Sequence, residues 1–169
     1  MTATDTLLAR LDALEARVRE LSDIIEVSQL VAQYGPNVDS GSAEATAALW
    51  TDDGTFEAVG AITMRGHDQI VAMVESGGHQ DLILNGCGHV LTAPHVVLDG
   101  DTAFGRSYAM NIRWDEEAQR FWVARVSANT WRWVRTSDGW RIADRVNANL
   151  DGTAAHREIL APRSEGGVA

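Results

Sequence analysis

Leu7, Leu11, Leu14, Val18, Leu21 and Ile25 recur at spacings of 4, 3, 4, 3 and 4. That is the a/d seam of a heptad, with Arg10, Asp12, Glu15, Arg17, Arg19 and Glu20 on the outer face, and it predicts a long amphipathic helix. Such a helix either packs on its own domain or pairs with another subunit, and the strict 3.5-residue period favours pairing. After Ile25 the apolar set moves to Val27, Leu30, Val31 and Tyr34, still at helical spacing, until Gly35-Pro36 is expected to break the helix. Ser40-Gly41-Ser42 reads as a turn and N-cap before a short helix from Ala43 to Trp50, and Thr51 to Gly54 reads as a second turn. Thr55 to Val59 and Ile62 to Met64 suggest a small hairpin. A third helix starts at Gly66-His67-Asp68, with Ile70, Val71, Met73 and Val74 as its apolar side, and ends at Gly77-Gly78.

From His89 onward the period changes to two. The alternation predicts long strands over His89 to Leu98, Ala103 to Trp114, Phe121 to Arg135 and Trp140 to Asn149. They are separated by Asp99-Gly100-Asp101, by the polar loop Asp115 to Gln119, and by the hairpin turn Ser137-Asp138-Gly139. Helices followed by strands indicate an α+β domain, here a curved antiparallel sheet wrapping the N-terminal helices into a cone with one apolar pocket. Residues 1–155 form this domain, with 1–25 as its heptad-patterned helix. Residues 156–169 are a tail with one short helix around His156 to Leu160.

Composition narrows the partners. A length of 169 residues suits one domain, and 45% hydrophobic with 22% charged residues is a globular balance. A net charge of −10 argues against nucleic acid. No apolar run reaches the roughly 20 residues that span a bilayer, and the N-terminus lacks the pattern of a secretory signal. With Cys87 as the lone cysteine, cytoplasmic residence is the default. All 14 basic residues are arginine, so lysine Schiff-base or general-base chemistry is excluded and proton transfer falls to His, Asp, Glu, Tyr or Cys. His89 and His95 share a face of one expected strand, but six residues of strand span about 20 Å, too far for one ion with ligands at about 2 Å. His67 is read as a helix cap, His79 as a loop residue and His156 as part of the tail, so no metal is expected. No phosphate-binding loop or dinucleotide fingerprint occurs, so no cofactor is implied.

Several local patterns recur in one order: Tyr34 to Asp39 after a long helix, Ala48 to Gly54, Arg65-Gly66-His67-Asp68, Leu98 to Ala103, and Arg135 to Ile142. In that order the chain resembles the SnoaL-like branch of the nuclear transport factor 2-like superfamily. Within it, the chain is similar in arrangement to the group of scytalone dehydratase, bile-acid 7α-dehydratase and hexachlorocyclohexane dehydrochlorinase. The resemblance implies an Asp–His pair, here Asp39 and His89, with Tyr34 matching a tyrosine of the bile-acid enzyme. A second carboxylate of that enzyme corresponds to Asn111, which cannot ionise, and an arginine late in the family's sheet corresponds to Arg145.

On this reading His89 is the general base, Asp39 fixes its tautomer and stabilises the imidazolium, and Tyr34 donates a hydrogen bond to a carbonyl or leaving oxygen. Alternation puts Ser127, Asn129, Trp131 and Trp133 on one face and Arg141, Ala143, Arg145 and Asn147 on another. Asn111, Asn129, Trp131, Arg145 and Asn147 are the candidate substrate contacts. Six tryptophans fit a large, flat, apolar ligand. The expected activity is that of a cofactor-independent lyase (dehydratase) or isomerase acting on a hydrophobic, polycyclic or terpenoid-like hydroxy or keto compound. The alternative is a non-catalytic small-molecule binding protein of the same fold. A homo-oligomer is expected, with dimer and trimer both open.

Overall fold

The computed structural model describes residues 2–162; residues 163–169 of the expected tail lie outside the described residues. Helix α1 (Ala3–Asp39) opens on a capping box in which Thr2 Oγ1 accepts from the Asp5 amide and the Asp5 carboxylate accepts from the Thr2 amide. It runs straight through Gly35-Pro36, correcting the expected break. Pro36 is exposed, so the carbonyl it leaves without a helical donor faces water, while the opposite side is held by packing of Val27, Leu30, Val31, Tyr34, Gly35 and Val38.

Helix α2 (Ala43–Ala47) stops short of Trp50, and Thr51 to Gly54 belong to strand β1 (Trp50–Ala58) rather than a turn. Strand β2 (Ile62–Arg65) pairs with β1. Helix α3 (Gly66–Glu75) is followed directly by α4 (Gly77–Leu84). Gly77-Gly78 therefore opens a helix, capped by Ser76 Oγ accepting from the His79 amide. The strand expected over His89 to Leu98 is two strands, β3 (Cys87–Leu91) and β4 (His95–Asp99), interrupted at Pro94, and both pair with β5 (Thr102–Asp115). Strands β6 (Arg120–Thr136) and β7 (Gly139–Asn149) complete the sheet, and α5 (Ala154–Glu158) follows.

The strand order is β2-β1-β7-β6-β5-β3, with β4 also on β5. The sheet is curved and otherwise antiparallel, but β1 runs parallel to β7, aligning Phe56 with Arg145. Alternation reports which face a strand buries, not which way its neighbour runs. Among the described residues, no helix is long and apolar enough to cross a membrane.

The C-terminal half of α1 lies in the concave face. Trp50, Trp131, Trp133 and Trp140 are buried with Met64, Ile70 and Ile142 in the core beneath it, each large apolar side chain contributing about 1.5–3 kcal/mol. The helix is tied to the far hairpin by polar contacts. Arg135 donates twice to Asp23, at 2.9 and 2.7 Å, and the Trp140 amide donates to Glu26 at 3.0 Å. Residues 2–22 are exposed all round.

Glycine is needed where other groups press on the backbone. A Cβ on Gly35 would stand 2.2 Å from the His89 carbonyl oxygen, and one on Gly105 would stand 2.7 Å from the Trp133 ring. Gly35→Ala should therefore destabilise the fold by about 3 kcal/mol, because a backbone atom cannot step aside. Gly77→Ala, where an added Cβ meets nothing, should change stability by less than about 0.5 kcal/mol. Urea unfolding of both variants checks the contrast.

Candidate functional site

The last residue of α1 and the middle residue of β3 are joined twice. Asp39 Oδ2 accepts the His89 backbone N–H at 2.8 Å, and Asp39 Oδ1 lies 2.6 Å from His89 Nδ1. Burial alone would raise the Asp39 carboxyl, but the His89 side chain, its backbone N–H and its charge outweigh burial and hold the group below its ordinary value. An ionised Asp39 makes Nδ1 the donor and leaves the lone pair on Nε2. The imidazole is largely enclosed, with 16% of its side chain exposed.

Cys87, two residues earlier on the same face, places its thiol 3.6 Å from Asp39 Oδ1. Burial, then the Asp39 charge, push that thiol up to about 11, which keeps it protonated and a poor nucleophile. Asp39, Cys87 and His89 bring ligand atoms within 4.8 Å of one another, a grouping that the His89/His95 argument did not consider. In this arrangement the Asp39 oxygens are already engaged by the His89 and Cys87 protons.

Tyr34, one turn before Val38, stands edge-on to His89 with ring centroids 6.4 Å apart and planes at 88°. It is core-buried, also edge-on to Trp50 and Phe56. Arg145 lies over Tyr34, Phe56 and Trp131, at 4.2, 4.4 and 4.7 Å from their centroids. Its Nε donates to Asn129 Oδ1 at 3.0 Å, and Asn147 Nδ2 donates to the same oxygen at 3.0 Å. Burial lowers the pKa of the guanidinium, opposed by Tyr34. Trp131 donates from Nε1 to Ser107 Oγ at 3.0 Å and stacks on Trp133 at 5.7 Å. It is a buried platform for Arg145, and four of the six tryptophans are core, so packing accounts for most of that aromatic excess.

The five predicted contacts therefore share the inner face, but in two groups. Asn129, Trp131, Arg145 and Asn147 form one cluster. Asn111 sits directly across from His89 on β5, and its Oδ1 accepts from Arg125 Nε at 3.1 Å. The expected row of Arg141, Ala143, Arg145 and Asn147 is broken. Trp131 opposes Arg145 while Trp133 opposes Ile142, with a register shift between them, so a bulge turns Ile142 and Trp140 inward instead.

Sequence reasoning missed Arg125, Cys87 and His79. Arg125 was legible, being in phase with Ser127 and Asn129. His79 is not in a loop but on α4, buried, with Nε2 3.0 Å from the Val38 carbonyl oxygen and its ring 5.9 Å from that of His89. His67 Nε2 lies 3.0 Å from the Trp50 carbonyl oxygen, and His95 is exposed on β4. A surface concavity of about 360 Å3, lined by Asp81, Asn85, Gly86, Arg113 and Trp114 among others, opens beside β3, and another of about 330 Å3 lies between β2 and α3.

Residues 19–146 match a family model described as a SnoaL-like domain. The chain is 42% identical to an NTF2-like protein with a cystatin-like fold from Novosphingobium aromaticivorans, over 90% of this chain and 97% of that one, with a TM-score of 0.87. A protein from the same organism provisionally named a scytalone dehydratase is 16% identical over 78% of this chain and 86% of its own, with a TM-score of 0.66. A Catenulispora acidiphila protein in complex with S-DNPA is 21% identical over 78% and 96%, also with a TM-score of 0.66. The last two likenesses show the fold. No curated protein matches the chain.

Because the folded-state pKa of Asp39 is depressed below 3.8, its ionised form adds stability that is full above that value and lost as pH falls through the lower one. Asp39→Asn should lose about 2 kcal/mol at pH 7, the scale of hydrogen bonds to a charged group. The gap from wild type should narrow at about pH 3. Urea midpoints at both pH values test this, and an equal gap at both would remove the charge from the explanation.

Proposed function

Because the chain belongs to the SnoaL-like domain family and joins Asp39 to His89 at 2.6 Å on its concave face, we propose that it is a cofactor-independent lyase or isomerase acting on a hydrophobic hydroxy or keto compound. The Asp39–His89 bond carries the reading. A base needs its proton-accepting atom directed and its protonated form stabilised, and Asp39 does both from one side of the ring.

In the elimination, His89 Nε2 takes a proton from carbon. The C–H electron pair becomes the new C=C bond, the C–O bond breaks, and the departing hydroxyl takes that proton from the imidazolium and leaves as water, which restores neutral His89. In the isomerisation, the imidazolium returns the same proton to a carbon further along the conjugated system. Tyr34, beside both His89 and Arg145, is placed to donate to a carbonyl or leaving oxygen. Asn111, Asn129, Arg145 and Asn147 supply polar contacts to the developing oxyanion, with Trp131 backing Arg145. Asn111 replaces a carboxylate of the bile-acid dehydratase in the arrangement the chain resembles, so one base, rather than an acid–base pair of carboxylates, carries the proton. A purely binding role would need the clamp between α1 and β3 but not the lone pair that Asp39 directs onto Nε2.

Nitrobenzisoxazole, whose ring opens when a base takes one carbon-bound proton and the N–O bond breaks, tests for the base without knowledge of the substrate. Wild type should open it, and His89→Ala should lose about 100-fold or more. Asp39→Asn should lose less. A His89→Ala rate equal to wild type would overturn the proposal.

A further inference from the structure

The inner faces of β6 and β7 carry four buried side-chain atoms without a hydrogen-bond partner among the described residues: Ser127 Oγ, Asn129 Nδ2, Trp133 Nε1 and Arg145 Nη1. Buried polar groups are satisfied in the great majority of cases, and each that is not costs about 1–3 kcal/mol. Ser127 and Asn129 are in phase on β6, and Asn129 bonds Arg145 directly, so three of the four atoms form one patch. Two are donors only, and the Ser127 hydroxyl can donate.

Arg145 is 3% exposed. Its guanidinium bonds Asn129 and Tyr34, lies over the Tyr34, Phe56 and Trp131 rings and feels the like charge of Arg125, and among the described residues no carboxylate pairs with it. Arg125, further along the same face, bonds the neutral Asn111. A buried guanidinium without an opposing charge is costly unless an anion meets it, and a fork of N–H donors beside a second amide donor suits a carboxylate.

We infer that the substrate or ligand of this site carries a carboxylate, which Arg145 and Asn129 bind with help from Ser127, while Arg125 adds positive potential from further along β6. The inference rests on the proposed reading of the site and narrows its substrate to an apolar acid. The carboxylate anchors one end against Arg145, and Tyr34, touching both Arg145 and His89, sets the distance from anchor to base.

Naphthoate and its neutral isostere naphthamide, titrated against the full chain and read by tryptophan fluorescence and calorimetry, test this. Wild type should bind naphthoate at least tenfold more tightly. Asn129→Asp, which gives Arg145 an internal counter-charge, should abolish the preference while keeping or raising the melting temperature. Arg145→Gln should abolish it too, with far-ultraviolet circular dichroism checking its fold. Equal affinities in wild type, or an unchanged preference in Asn129→Asp, would overturn the inference. Sodium chloride or phosphate raising the melting temperature as much as naphthoate at equal concentration would also overturn it, since a free ion would then satisfy the guanidinium. Nitrobenzisoxazole opening needs no carboxylate. If it depends on His89 while the acid preference is absent, the anion inference falls and the base stands; the reverse pattern condemns the base alone.

A second observation stands independently. The heptad side chains Leu7, Leu11, Leu14, Val18, Leu21 and Ile25 are 47–66% exposed, and α1 stays exposed all round up to residue 22, just before Asp23 meets Arg135. Leu11, Val18 and Ile25 occupy a positions and Leu7, Leu14 and Leu21 occupy d; β-branched residues at two of the three a positions with leucine at every d favour two parallel strands. Arg10 at g would face Glu15 at e of a parallel copy, whereas an antiparallel copy would set Arg10 and Arg17 against their own kind. The geometry points to a second copy of this chain, joined in a parallel two-stranded coiled coil over residues 7–25. In a Cys87→Ala background, Leu7→Cys and Leu21→Cys should each form a disulfide-linked dimer on mild oxidation, and removal of residues 1–22 should abolish that association by light scattering. Cross-linking of neither variant, or a trimer by sedimentation, would overturn it.

Discussion

The carboxylate of Asp39 accepts two hydrogens from one residue, the amide and Nδ1 of His89, and the rest of the site depends on that clamp. It closes only if the end of α1 lies against β3, and it does so because Gly35 has no Cβ where the His89 carbonyl oxygen sits. His89 is therefore located by its backbone on both sides, through its N–H on Asp39 and its carbonyl against Gly35. The main-chain contacts fix its Cα, and Asp39 Oδ1 fixes the orientation of the ring. The interaction that ends the helix and docks the strand is the same one that selects the imidazole tautomer, so a change at Asp39 acts on fold and chemistry together.

The concave face changes character along each strand rather than between strands. On β6 the inward positions run Trp133, Trp131, Asn129, Ser127, Arg125, from aromatic to polar in a constant period of two. On β7 the sequence is Trp140, Ile142, then Arg145, Asn147 after the bulge. The aromatic end is the hydrophobic core proper and contributes most of the burial energy. The polar end contributes little stability, and its unpartnered donors cost some. Trp131 and Tyr34 form the boundary, with one side against the core and the other carrying Arg145.

Much of this could be read from the residues alone, and what could not has particular causes. The shift of the apolar stripe from Leu7–Ile25 to Val27–Val38 marked where α1 leaves solvent and enters the domain. The period-two segments located every long strand of the second half. Asp39 and His89 came from resemblance, since spacing of fifty residues carries no geometric signal. Gly35-Pro36 misled because a proline on the solvent face of a packed helix costs only a hydrated carbonyl. The bulge in β7 defeated strict alternation by inserting one residue. The β1–β7 direction left no trace in either pattern. Cys87 lay in phase with His89, but a lone thiol says nothing until its neighbour is known.

Net charge and local charge point in opposite directions here. At −10 overall, the surface repels an acid at long range, yet the concave face gathers Arg125 and Arg145 with Asp39 engaged elsewhere by His89. Ionic strength near the physiological range screens exposed charges beyond about 8 Å, while a guanidinium sealed among three aromatic rings is screened far less. Selection of an anionic ligand would therefore take place at the buried guanidinium itself and not during approach. That ordering explains how an acidic protein can hold an uncompensated arginine at its centre. The outer arginines, such as Arg132 with Asp144 and Arg135 with Asp23 and Asp101, already have their partners, leaving the positive potential on the inner face, where an apolar acid would meet it.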